Sequence, residues 1–174
     1  MTRTYPDEPI DPYDPPPNRF EDALGRAISV ERYDDDREAL VEMYLQFESE
    51  DRAQGIPPSS EQRIRSWLDG LLVDDCLNVV AWHGDAAVGH ATLVPDREGG
   101  YELAIFVVRP YQEAGIGTVL IKTLLGAGQS EGIQCVWLSV ERWNDAAVKL
   151  YRKVGFEPVD TGSFELEMVA RLSE

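Results

Sequence analysis

The chain has 174 residues, an apolar content of 43% and a formal net charge of −16. That length suits one compact domain with a sizeable core, and the acidic excess argues against nucleic acid and anionic membrane as partners. No apolar run is long enough for a membrane span and no apolar stretch near the N-terminus reads as a secretory signal, so a cytoplasmic protein is expected.

Residues 1–22 hold six of the eleven prolines and six acidic residues. Such a segment reads as a Pro-rich acidic arm, disordered or draped over the surface, ahead of a domain spanning 23–174. Ala27–Tyr33 alternates and predicts a first strand. Asp34–Asp36 offers an N-cap for a helix whose apolar face is Leu40, Val41, Tyr44, Leu45 and Phe47. Ser59 with Gln62 fits a capping box after Pro57-Pro58, and the helix it starts would bury Ile64, Trp67, Leu68, Leu71 and Leu72. Cys76–Trp82 and Ala87–Val94 read as strands around the turn His83-Gly84-Asp85, and Gly99-Gly100 leads into Tyr101–Val108, which Pro110 stops.

After a short polar loop, Gly115-Ile116-Gly117 opens a helix with Ile116, Val119, Leu120, Leu124 and Leu125 on one side. Gln134–Val140 is a strand. Asn144 caps a helix that buries Ala147, Leu150, Tyr151 and Val154, and Gly155 stands at its C-terminal end. Phe156–Val159 and Phe164–Val169 close the chain as strands. The order β-α-α-β-β-β-α-β-α-β-β predicts a single α/β domain with a sheet of mixed direction.

A strand entering a Gly-rich turn and then a helix makes an anion site. Successive N–H groups of residues 113–118 would point into one concavity, the helix dipole adds positive charge, and glycines at 115 and 117 admit a diphosphate without a Cβ in the way. The dinucleotide fingerprint wants a third glycine where Leu120 stands, and a P-loop wants glycine where Ile121 precedes Lys122-Thr123. Taken alone, the loop marks a phosphate-bearing ligand or merely a tight turn. Cys76 and Cys135 are expected as free, buried thiols, and with His83 and His90 they show no metal-ligand spacing, so no metal is expected.

A second cluster narrows the ligand. VVRPYQEAGIGTVLI carries Gln112, Gly115 and Gly117, and NDAAVKLYRKVGF carries Asn144, Ala147, Leu150, Tyr151, Gly155 and Phe156. These two segments, in this order and spacing, resemble the diphosphate loop and the later helix of the GNAT superfamily of acyl-CoA N-acyltransferases, a likeness that covers roughly residues 27–170. The resemblance implies a single-domain, mostly antiparallel sheet of about seven strands flanked by four helices, splayed between the fourth and fifth strands. It implies acetyl-CoA as co-substrate and a primary amine of unknown identity as acceptor, with direct attack in a ternary complex. The backbone of Phe106, Val107 and Val108 would meet pantetheine and the acyl carbonyl. Backbone N–H groups of Gln112, Glu113, Ala114, Gly115, Ile116, Gly117 and Thr118 would hold the diphosphate, and the Asn144 side chain would bond the pantetheine arm unless it serves as an N-cap.

The same resemblance makes Tyr151 the general acid for the departing thiolate, against a plain core aromatic. It makes Glu102 a base for the acceptor ammonium, against an exposed strand carboxylate, with Glu141 and Glu50 as weaker alternatives. Glu113 and Ala114 depart from the Arg, Lys or Gly common before the first glycine, which places a negative charge beside the diphosphate. Arg109, Lys122, Lys149, Arg152 and Lys153 are the cations available to the CoA phosphates. An acyl-CoA-binding regulatory module without turnover is the competing function. Homodimerisation through the final strands is open, and the acceptor would be gripped by the first two helices, residues 35–72, and the last two strands, with Glu48, Glu50 and Asp51 able to attract a cation. The spread of acidic residues along the chain favours a surface adapted to high salt over an electrostatic funnel for a cationic amine.

Overall fold

The structure is a computed structural model, and it describes residues 3–48, 56–159 and 162–173. Among these residues eight strands form one sheet: β1 (Asn18–Glu21), β2 (Ala27–Arg32), β3 (Leu77–His83), β4 (Ala86–Pro95), β5 (Tyr101–Val107), β6 (Cys135–Glu141), β7 (Glu157–Val159) and β8 (Glu165–Arg171). Their spatial order is β1-β2-β3-β4-β5-β6-β8-β7. Four α-helices accompany them: α1 (Arg37–Tyr44), α2 (Glu61–Leu71), α3 (Ile116–Ser130) and α4 (Asp145–Val154).

All strand pairs are antiparallel except β5 with β6. That parallel pair touches at only two registers, Tyr101↔Val136 and Glu102↔Trp137. Above them β5 stays paired to β4 as far as Gly89↔Val107, while β6 follows β8 as far as Glu141↔Glu165. The sheet therefore splits into a wedge that opens toward the C-terminal ends of β5 and β6.

Strand parity sorts the two faces. His90, Thr92, Glu102, Ala104 and Phe106 share one face with Trp137, Ser139, Glu141, Glu165 and Glu167. Tyr44 of α1 bonds His90, so α1 lies on this face. Ile105, Gly89 and Leu93 face the other way, where they meet Gly117, Leu120 and Gly128 of α3. Strand β3 is buried along Leu77–Ala81 because both faces of the sheet are covered there. The long apolar side chains of α3, including the fully buried Leu120, Ile121 and Leu124, anchor it, each contributing about 1.5–3 kcal/mol through burial.

The expected seven strands become eight because Asn18–Glu21 lies within the Pro-rich segment. It is an edge strand with Asn18 and Phe20 half-buried and Arg19 and Glu21 exposed, an alternation too short to stand out beside six prolines. The rest of the arm runs along the surface. Arg171 Nε donates to Pro6 O (2.6 Å), Ile10 N to Arg171 O (2.8 Å) and Tyr13 Oη to Val154 O (2.8 Å). The arm crosses α3 at Gly126, where a Cβ would lie 2.7 Å from the carbonyl oxygens of Tyr13 and Asp14. Helix α2 is capped by Ser60, whose side chain accepts from Arg63 N, in place of the expected Ser59. Leu45 is exposed because α1 ends at Tyr44, one residue before it.

Candidate active site

The loop from β5 to α3 has few degrees of freedom left. Val108 N donates to Val88 O (3.0 Å) as the last bond of the β4–β5 ladder, and a single 3-10 turn, Arg109–Tyr111, follows. Glu113 (φ 57°) and Gly115 (φ 89°) then take left-handed conformations that swing the chain into α3. Gly115 is the N-cap and has no side chain to satisfy the first turn of the helix. Among the described residues, none of the six N–H groups from Glu113 to Thr118 finds an acceptor; the first helical bond is Val119 N to Gly115 O. Six adjacent unpaired donors at the positive end of a fifteen-residue helix form an arrangement that can receive an anion. Gln112 stands outside it, since its N–H is spent on Arg109 O (3.1 Å).

A clasp that the sequence did not reveal holds this loop from behind. The turn between β1 and β2 presents Ala23 N to Ala114 O (2.9 Å) and Arg26 Nη1 to Pro110 O (3.0 Å). The Arg26 guanidinium lies over the Tyr111 ring at 4.0 Å, and Tyr111 Oη meets His83 Nδ1 at 2.6 Å. Buried Asp22 accepts from Arg26 Nε (2.6 Å) and from the N–H groups of Leu24 and Arg26. Burial acts to raise the Asp22 carboxyl, but those hydrogen bonds outweigh it and hold it below the usual carboxylate range. The only sequence signal was a turn-like Asp-Ala-Leu-Gly-Arg, hidden in and beside the segment read as an arm.

The wedge supplies an unpaired strand edge. Because Val108 N donates to Val88 O, antiparallel alternation turns the backbone groups of Phe106 and the Val108 N–H toward β4 and the backbone groups of Ile105 and Val107 toward the gap. Val107 O accepts from Gln112 Nε2 there (2.9 Å). The expected trio of Phe106, Val107 and Val108 is thus corrected: the backbone groups of Ile105 and Val107 face the gap, with Val107 O held by Gln112. Phe106 instead packs its ring against Tyr44 and Trp67, at centroid distances of 5.7 and 5.4 Å. Val108 is buried, and its carbonyl accepts from Tyr111 N.

Helix α4 forms the far wall. Asn144 Oδ1 accepts from Ala147 N (3.2 Å), so it is an N-cap, yet this uses only the oxygen and leaves the Nδ2 donors for a ligand. Leu150 approaches Gly117 of α3. Tyr151, one position on, is buried with its ring 6.0 Å from Phe156, and burial alone pushes its phenol up to about 12. Lys149, Arg152 and Lys153 are exposed on the same helix, whereas Arg109 stands 3.8 Å from Glu48.

Glu102 lies across the sheet from α4, at the closed end of the wedge and level with Trp137. Partial burial raises its carboxyl; Arg3 draws it down, while Glu165, Glu167 and Asp96 raise it further. Glu141 ends β6 on the same face at the open end. Glu50 and Asp51 lie outside the described residues. Cys76 and Cys135 are free and half-buried, more exposed than expected. Among the described residues no group of three or more His, Cys, Asp or Glu side chains is arranged to hold a metal ion, and no helix is long and apolar enough to cross a membrane.

The pattern described as "Acetyltransferase (GNAT) family" matches residues 37–156. A curated relative, "Probable N-acetyltransferase san" of Drosophila melanogaster, is 30% identical over 87 residues, which cover 47% of each chain. The chain spans about half the length of the curated relatives it matches. Among solved structures, the GNAT domain of S. lividans PAT superposes with a TM-score of 0.76 at 17% identity, covering 90% of this chain and 97% of its own. The PaiA N-acetyltransferase of Thermoplasma acidophilum, solved in complex with coenzyme A, gives 0.65 at 20% identity, covering 83% and 98%.

Proposed function

We infer the reaction from one premise: this chain belongs to the acetyltransferase (GNAT) family. Its reaction is transfer of an acetyl group from acetyl-CoA to a primary amine by direct attack in a ternary complex. The observation that carries this reading is the row of six unpaired N–H groups, Glu113 to Thr118, at the mouth of a wedge whose inner edge offers Ile105 and Val107. A diphosphate on that row and an extended amide-bearing arm along that edge match the alternation of charge and peptide-like groups in coenzyme A. The structure of PaiA with coenzyme A shows the same fold holding this ligand in a relative.

The chemistry follows from proton accounting. The neutral amine attacks the thioester carbonyl carbon, the carbon–sulfur bond breaks, and the sulfur leaves as a thiolate whose parent thiol has a pKa near ~8.5. Tyr151, protonated throughout the neutral range, donates its proton to that sulfur. The acceptor ammonium, with a pKa near ~10.4, must first lose a proton, and we assign that step to Glu102, which stands level with Trp137 on the face opposite α4. Its raised carboxyl makes it a better base than an ordinary glutamate. No acyl-enzyme is needed: burial pushes the Cys76 thiol up, away from the thiolate a nucleophile requires.

The test is thiol release from acetyl-CoA over a panel of amines and peptides, for wild type and Tyr151→Phe. We expect turnover with at least one amine, and a fall in kcat of about 100-fold for Tyr151→Phe with CoA affinity little changed. Binding of CoA without thiol release from any acceptor would favour the regulatory module. An unchanged kcat in Tyr151→Phe would remove that residue from the chemistry.

A further inference from the structure

The N-terminal arm places a cation on the face where the acceptor must arrive. The Arg3 guanidinium carbon lies 3.4 Å from the centroid of Trp137, and its Nε and Nη2 donate to the two oxygens of Glu167 at 3.0 and 3.2 Å. An aromatic plate below and a carboxylate fork at the edge are how a guanidinium is recognised in preference to an ammonium. The plate is oriented without help from Arg3. Trp137 Nε1 donates to Asp96 Oδ2 (2.9 Å), and Asp96 Oδ1 is fixed by the N–H groups of Glu98 and Gly100. The arm is likewise fastened without Arg3, through Pro6, Ile10 and Tyr13.

Charge is not balanced at this spot. Glu102 lies level with Trp137, Glu165 and Glu167 share the same face, and Asp96 holds the indole, so four carboxylates stand about the Arg3–Trp137 pair against Arg3 and Arg171, the latter turned to Pro6 O. The site keeps excess negative charge with Arg3 in place, as a place built to exchange cations would.

We propose that Trp137 and Glu167 form a guanidinium-binding subsite of the acceptor face, and that Arg3 occupies it as a tethered competitor of arginine-bearing acceptors. The word acceptor rests on the transferase reading; the subsite does not. Release of Arg3 exposes the plate and fork beside Glu102, so an acceptor carrying a guanidinium near its amine gains a second point of attachment.

The experiment uses Nα-acetylargininamide, which has no primary amine to acetylate, titrated by calorimetry into the full chain. A tethered group competes at roughly millimolar effective concentration. Arg3→Ala is therefore expected to bind the probe at least about fivefold more tightly than wild type. Adding Glu167→Gln to Arg3→Ala should abolish the gain, and the neutral Nα-acetylnorleucinamide should show none. Arg3→Gln, which keeps the stem and loses the charge, must behave like Arg3→Ala, which separates charge removal from loosening of the arm. Equal binding by wild type and Arg3→Ala, or no binding to Arg3→Ala at millimolar probe, overturns the proposal. A chain that binds the probe yet releases no thiol from acetyl-CoA keeps the subsite and loses the transferase reading; turnover of amines without probe binding does the reverse.

Discussion

Gly117→Ala separates a ligand-driven glycine from a fold-driven one. Gly117 is not in the left-handed region, and a Cβ there would stand 3.7 Å from Leu150 Cδ2 and 4.0 Å from Ile105 Cδ1, both ordinary contacts. The folded protein has room for the methyl group. Exchanging glycine for alanine in a helix gains up to about 1 kcal/mol, less in the first turn where Gly117 sits. For a domain of this size that is an unchanged melting temperature or a rise of up to about 4 °C. The same Cβ, however, points into the space between α3, α4 and β5, beside the unpaired N–H groups. A phosphate oxygen must come within about 3 Å of those nitrogens, and each charge-assisted hydrogen bond is worth about 1.5–3 kcal/mol. Losing one lowers CoA affinity about 10–100-fold. Calorimetric titration with CoA and a ligand-free melt measure the two effects separately. Undiminished affinity would refute the phosphate cradle; a melt several degrees lower would show that packing, and not a ligand, demands the glycine. Gly115→Ala is the contrast, since its φ of 89° makes any side chain strained and both quantities should fall.

Other consequences can be measured directly. Arg26→Ala removes the stack on Tyr111 and the bond to Pro110 O, so CoA affinity should fall severalfold while kcat at saturation holds; unchanged affinity would reduce the clasp to a structural ornament. His90 is fully buried between Tyr44 Oη (2.6 Å from Nδ1) and Asn78 Oδ1 (2.7 Å from Nε2), and burial lowers it to about 3. Its unfolded value, near ~6.5, lies above the folded one, so the unfolded chain binds the extra proton. Stability is complete above ~6.5 and is lost as pH falls toward the folded value, by about 2 kcal/mol at pH ~5. Urea unfolding at the two pH values should show that loss in wild type and not in His90→Gln, and equal losses would exonerate the histidine. With a net charge of −16, the melting temperature should rise by several degrees between low and molar potassium chloride; a flat response would count against a high-salt surface.

What the sequence made legible was local. Gly115 marks a tight strand-to-helix turn because few other residues adopt its φ of 89°, and Asn144, Tyr151 and Gly155 mark one helix by its cap, its buried face and its end. What it hid depends on contacts distant in the chain. Nothing in Asp22 or Arg26 says that Pro110 and Tyr111 will lie against them, 84 residues on in the case of the Arg26–Pro110 bond. The choice of Ile105 over Phe106 is a matter of ladder phase, set by which β4 residue bonds Val108, and period-2 patterning is silent on it. The course of the arm was equally illegible: proline removes backbone donors, yet Ile10, Tyr13 and Asn18 find partners across α3, α4 and β8.

The acidic surface takes on a different meaning once the faces are separated. All three lysines, Lys122, Lys149 and Lys153, stand on α3 and α4, on the side of the sheet where the anion cradle opens. Glu102, Glu141, Glu165 and Glu167 stand on the other side, where an amine would enter. Lys149 and Lys153 are exposed on α4, whose Leu150 approaches Gly117 of α3, while Lys122 Nζ lies 5.7 Å from the Tyr13 ring. Glu113 would then cost a bound diphosphate less than its position suggests, because its exposed side chain is screened by water beside the unpaired N–H groups. Under the proposed reaction the wedge between β5 and β6 would join these two electrostatic environments, a polyanionic donor approaching from one side and a cationic acceptor from the other.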